Sequence, residues 1–123
     1  SLGYGFDGFA SPIPKSQWGR GRTIPVKFAL VDRSGAAVAP AAGVVAARVR
    51  LWSSSTGGSL AEAPCGYDGE LAQYVCNLKV PSGLTSGRSY WVVAEVRVGS
   101  GPWVVPVPVA GARTSNPVPI RVR

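Results

Sequence analysis

RTIPVKFALVDRSG, residues 22–35, decides how this chain is read. Val26, Phe28 and Leu30 fall on one parity and Lys27, Ala29 and Val31 on the other, the two-residue period of an extended strand. The closing Asp32, Ser34 and Gly35 are turn formers. The same grammar recurs on both sides. YWVVAEVRV, residues 90–98, is the strongest predicted strand, apolar enough to lie inside a sheet. Residues 44–52 give another strand that ends at Trp52 in a Ser/Gly turn. Residues 59–80 read as a hairpin: a short strand to Cys65, a turn of Gly66, Asp68 and Gly69, and a return from Leu71 to Val80. Helix is excluded by period: no window carries apolar residues at helical spacing without a Gly or Pro, and the best candidate, residues 36–50, is broken by Pro40 and Gly43. At 123 residues the chain is expected to be one all-β domain, an antiparallel β-sandwich of about seven to nine strands.

The prolines speak to the borders of that sandwich. Pro12 with Pro14, Pro106 with Pro108, and Pro117 with Pro119 are each spaced by two. In an extended chain N–H groups two apart point to the same side, so each pair removes the donors along one edge. Such segments belong at sheet borders and disfavour edge-to-edge stacking.

The opening SLGYGF, residues 1–6, has Leu2, Tyr4 and Phe6 on one parity and Gly3 and Gly5 on the other. Two readings stay open. It is the first strand of the domain's own sheet, or it is an arm donated to a neighbour by strand addition, with Leu2, Tyr4, Phe6 and Phe9 filling the neighbour's pockets. Residues 7–21, rich in Gly, Ser and Pro, read as the loop or hinge behind it. A start at Ser-Leu-Gly fits a processed product.

Chemistry is limited by what is missing. There is no His and there are two Cys, so the Ser/His/Asp and Cys/His constellations and the usual zinc site have no ligands to draw on. Cys65 and Cys76 are therefore expected to pair as a disulfide, which places the chain outside the reducing cytoplasm. Of the six carboxylates, Asp7, Asp32 and Asp68 sit in turn-like contexts, and Asp68 with Glu70 makes at most a weak Ca²⁺ site. No catalytic residue, metal or cofactor is assigned, and no apolar run is long enough to span a bilayer. Thirteen Lys/Arg against six Asp/Glu give a net charge of +7, which favours anionic partners such as acidic polysaccharide or wall polymer. Most basic residues alternate with apolar ones along strands and read as the outward face. The one basic cluster, WGRGR at residues 18–22, is too short for a specific nucleic-acid site. Trp52 and Trp91 are assigned to the core, whereas Trp18 and Trp103, near loops, are the candidates for exposure. With Arg20 and Arg22 they make a candidate ligand surface.

YGFDGFASPI (residues 4–13) followed by GRTIPVKFALVDRSG (residues 21–35) resembles the PxKF-type module of secreted and cell-surface bacterial proteins. Residues 74–96, with the Gly83-Leu84-x-x-Gly87 turn and a Tyr-led strand, are similar to the second half of that module. The resemblance covers residues 4–98 and implies an immunoglobulin-like sandwich, export, and a role without catalysis. Residues 102–123 and the Cys pair follow no pattern of that family. The expected function is thus a non-enzymatic structural or interaction module of the cell exterior. Its sharpest form is a self-assembling filament or surface-layer subunit, and the alternative is a module that binds glycan or anionic wall polymer.

Overall fold

The computed structural model describes residues 4–10, 17–32, 34–38, 45–112 and 114–122. Leu2, Pro12 and Pro14 lie outside them. The strands are β1 (Tyr4–Phe9), β2 (Gln17–Trp18), β3 (Thr23–Asp32), β4 (Val45–Ser54), β5 (Gly57–Asp68), β6 (Gln73–Lys79), β7 (Ser89–Val98) and β8 (Val118–Val122). The fold is all-β and sandwich-like, with no helix among the described residues. Its eight strands follow one curled order, β1-β3-β6-β5-β4-β7-β8-β2. The neighbours are antiparallel except β2 on β8, which run parallel.

Strand parity builds the core as residues 22–35 foretell. Ile24, Val26, Phe28 and Leu30 of β3 face Val49 and Leu51 of β4 and Val92, Ala94 and Val96 of β7, all essentially inaccessible to water. Phe28 stacks on Tyr74 of β6 at 5.3 Å between ring centres. The Tyr74 hydroxyl donates to the Val38 carbonyl at 2.9 Å, satisfying its buried oxygen.

Pro64 explains why β5 serves both halves of the sheet. Cys65 and Cys76 are register partners with Cα atoms 4.4 Å apart, the spacing of a pair that exchanges no backbone bonds, and the disulfide joins them. The next pair along, Pro64 with Asn77, would have to be bonded through an N–H that proline lacks. Pairing with β6 stops there, and β5 continues along β4 from Pro64 opposite Arg48. The observed strand runs to Asp68, past the turn expected at Gly66.

The opening segment docks in its own sheet and extends to Phe9, so residues 7–9 are strand rather than hinge. The register passes from Phe6↔Leu30 to Phe9↔Phe28, one residue more on β1 than on β3. Gly8 absorbs that bulge at φ +97°. The extra residue reverses the alternation, which is why Phe6 and Phe9, three apart, are both fully buried. On its other side β1 meets residues 106–109. Phe6 N–H donates to the Val107 carbonyl and Val109 N–H donates to the Phe6 carbonyl, each at 2.9 Å. A Cβ on Gly5 would collide with the Val109 side chain, so the bare parity of the opening segment is where residues 106–109 lie across it.

Residues 102–109 form single bridges rather than a continuous strand. Val104 pairs with Val96 on β7, and the chain then crosses to β1 at Pro108. Val107 and Val109 turn their bonding groups to β1, so Pro106 and Pro108 face away. Val122 bonds to residues 87 and 88 beside β7, so the alternation turns Pro117 and Pro119 to the far edge of β8. The far side of β8 at residues 117–119, and the side of Pro108 away from β1, thus present no proline N–H, whereas Pro106 is buried toward Asn116. Asn116 ties the returning chain down. Its side-chain amide accepts from Ala94 N–H at 3.0 Å and donates to the carbonyls of Ala94 and Pro106.

Candidate functional site

Two strands that bury alternate residues must turn the others outward. On β4 these are Arg48, Arg50 and Trp52, and on β7 Trp91, Val93, Glu95 and Arg97. The register sets Trp52 beside Trp91, Arg50 beside Val93 and Arg48 beside Glu95. On the next strand in each direction, Glu62 of β5 lies opposite Arg50, and Pro119 of β8 lies opposite Trp91. Trp103, one residue before the Val104 bridge, lies against the guanidiniums of Arg48 and Arg97, 4.0 and 5.0 Å from its ring centre.

This outer face is unusually closed for one that no strand covers. Glu95 is 7% exposed, and Val93, outward by parity, is fully buried, so the longer side chains lie flat across them. Arg48 Nε donates to Glu95 Oε1 at 2.8 Å, a charge-assisted hydrogen bond. Arg50 Nε is 3.3 Å from the same oxygen but is not aligned to donate and has no hydrogen-bond partner. Glu62 stands further off, 3.6 Å from Arg50 and 4.0 Å from Arg48, with its side chain 57% exposed. Arg97 is different. Its Nε is buried without a hydrogen-bond partner, and no carboxylate among the described residues pairs with it. Next to Trp103, where β4 and β5 diverge at Pro64, a pocket of about 450 Å³ opens between Ala46, Arg48, Cys65 and Tyr74.

The other carboxylates have local work. Asp32 accepts from Ser34 Oγ–H and from the N–H groups of Ser34 and Ala36, and these bonds, led by Ser34 Oγ–H, hold its carboxyl below the usual 3.8. Asp68 accepts from the N–H groups of Glu70 and Leu71, closing the β5–β6 turn. Among the described residues no three His, Cys, Asp or Glu side chains are grouped to hold a metal. No helix among them is long and apolar enough to cross a membrane.

The tryptophan assignments are largely reversed. Trp18 is buried in the core at 9% exposure, because β2 turns it inward beside Val122, while Arg20 and Arg22 stay exposed. The surface expected from Trp18, Arg20, Arg22 and Trp103 is therefore not a single patch. Trp52 and Trp91, assigned to the core, are half-buried on the outer face, since the residues beside them, Leu51 and Val92, take the inward places. Counting parity from those two would have shown it. Of the four residues proposed for an assembly strand, Phe6 and Phe9 are in the core of their own domain, Tyr4 lies in β1 opposite Asp32, and Leu2 is outside the described residues. The Cys65–Cys76 disulfide is formed.

Compared with protein-family models, curated proteins and solved structures, the chain matches none.

Proposed function

We propose that this chain is a non-enzymatic interaction module of the cell exterior that meets its partner through a sheet face rather than a sheet edge. One observation carries the reading: Trp52, Trp91 and Trp103 share the outer face of β4 and β7 with three arginines, while residues 106–109 cover the outer side of β1 and Pro117 and Pro119 give the far side of β8 no donor. Export is supported by the disulfide and by the resemblance to PxKF-type modules. The lack of His, and carboxylates engaged by arginines or turns, favour binding over catalysis.

Self-assembly is the second reading, and β1 gives it its form. With residues 106–109 over the outer side of β1, copies would join by exchanging β1, which carries Phe6 and Phe9 into the core. Burial of the two rings contributes roughly 3–6 kcal/mol whether the strand is the chain's own or a neighbour's. A cysteine trap separates the two. Tyr4 and Asp32 are register partners, so in a Tyr4→Cys/Asp32→Cys chain oxidised at high concentration, a β1 docked at home gives a monomer band on non-reducing gels. A ladder of dimers and higher species replaces the face reading with strand exchange. Sedimentation velocity of the unmodified chain draws the same distinction without added cysteines.

A further inference from the structure

We propose that the outer face of β4 and β7 binds an acidic polysaccharide, its sugar rings stacking on the tryptophans and its carboxylates meeting Arg97 and Arg50. The inference rests on the reading of the chain as an exterior interaction module and names the ligand. Three features of the face choose that class.

The first is charge. Arg48, Arg50 and Arg97 outnumber Glu62 and Glu95 on the face, and the chain as a whole carries +7. The excess is localised: Glu95 is taken up by Arg48 and Arg50, whereas Arg97 has no carboxylate partner among the described residues. Arg50 Nε stays 3.3 Å from Glu95 Oε1, whereas the charge of Arg97 is offset by no carboxylate among the described residues. The Nε of each is closed off by burial, so the terminal nitrogens of the Arg97 guanidinium are the groups left to meet a ligand carboxylate. The planar, delocalised guanidinium suits carboxylate.

The second is aromatic placement. Trp52 and Trp91 are register partners at one end of the face, and Trp103 covers Arg48 and Arg97 at the other. Arg48 lies four residues from Trp52 along β4, about 13 Å at strand rise. The two aromatic stations are thus set apart along the strand direction with Arg50 between them. An extended chain lying along β4 and β7 meets an aromatic surface, a cation, and a second aromatic surface in turn.

The third is the presence of carboxylates. Glu62, 57% exposed on this face beside Arg48 and Arg50, keeps carboxylate oxygen open to a hydrogen-bond donor. A DNA phosphate backbone offers only acceptor oxygens to a carboxylate in that place. A sugar chain brings hydroxyl donors for Glu62 as well as carboxylates for the arginines. That mixture selects polysaccharide over nucleic acid.

Affinity electrophoresis through gels containing polygalacturonate tests this, with dextran as the neutral polymer and oligo(dT) as the nucleic-acid probe, at low salt and at ~0.15 M salt. Because a chain of +7 drifts toward any polyanion, Arg20→Gln/Arg22→Gln is run beside Arg97→Gln. It removes two charges away from the face. The expected result is retention by polygalacturonate at both salts, weakened about tenfold by Arg97→Gln and by Trp91→Ala, and changed less than about twofold by the Arg20/Arg22 variant. Thermal melts check that each variant is folded. If Trp91→Ala does not fold, Arg97→Lys carries the test, because it keeps the charge and loses the planar fork. Equal losses from the Arg20/Arg22 variant and Arg97→Gln, oligo(dT) retained as strongly as polygalacturonate, or no retention of the unmodified chain each overturn the proposal. None of these outcomes alters the cysteine-trap result, so the ligand class and the module reading fail separately.

Discussion

Replacing Phe9 by alanine separates a bulged β1 from a regular one. Phe9 is fully buried, its ring 4.9 Å from that of Phe6 and 6.1 Å from that of Phe28 between centres. Truncating a packed core aromatic costs about 3–5 kcal/mol, a large share of the ~5–15 kcal/mol that holds a domain folded. In a strand without the bulge, Phe9 would share the outward parity of Asp7, and either truncation would cost only about 0.5 kcal/mol. The structure therefore expects a steep order: Phe9→Ala is the most damaging, Asp7→Ala is close to neutral, and Gly8→Ala lies between them. Gly8→Ala is expected to cost about 1–2 kcal/mol because the bulge residue sits at φ +97°. Guanidinium chloride unfolding followed by tryptophan fluorescence reads all three. With a slope of about 4 kcal/mol per molar denaturant, losing 4 kcal/mol moves the midpoint by about 1 M. Coincident midpoints for Phe9→Ala and Asp7→Ala would refute the bulge and the inward turn of Phe9.

Three further outcomes are expected. Glu95→Gln strips Arg48 and Arg50 of a largely buried counter-charge and should cost about 3 kcal/mol, whereas Glu62→Gln, more than half exposed, should cost under about 1 kcal/mol; the same denaturant titrations distinguish them. Asp32 is held below 3.8 in the folded chain, so its contribution to stability is complete above 3.8 and is lost as pH falls through the lower folded value. An NMR titration of its carboxyl should give a midpoint below 3.8, and one at or above it contradicts the Ser34 and Ala36 hydrogen bonds. Replacing Pro108 by threonine restores an N–H donor on the side of residues 106–109 that faces away from β1 and should produce concentration-dependent association in light scattering. A variant as dispersed as the parent removes the protective role of that proline.

How far the sequence could be read depended on whether a feature was local. The alternation in residues 22–35 and 90–98 places Val26, Phe28, Leu30, Val92 and Val96 in the core without knowledge of their partners, because strand parity is a property of the backbone alone. Proline spacing likewise announces a donor-poor edge whatever lies beside it. The bulge was less accessible. Gly8 is one glycine among sixteen in the chain, and only its pairing with β3 shows that it carries the extra residue. The end of β5–β6 pairing at Pro64 has a local cause but needs the Cys65↔Cys76 register to be seen. Trp18 misleads for the same reason: its neighbours are Gly and Arg, and its burial comes from β8, at the far end of the chain. Trp103 is the extreme case, since its contacts with Arg48 and Arg97 exist only once residues 102–104 fold back over β7. The cluster on the outer face is a product of tertiary structure assembled from residues that, one by one, look like ordinary solvent-facing positions.

The four indole N–H groups provide the most direct measurement, because the fold distributes them unequally: Trp52, Trp91 and Trp103 belong to the outer face and Trp18 to the core. In ¹H–¹⁵N spectra of the chain titrated with galacturonate oligomers, the first three indole signals and the Nε–H signals of Arg50 and Arg97 are expected to shift together along one binding curve, with Trp18 unmoved. Shifts confined to Trp18 and the exposed arginines beside it, or none at oligomer concentrations that retain the protein on polygalacturonate gels, would contradict binding at this face.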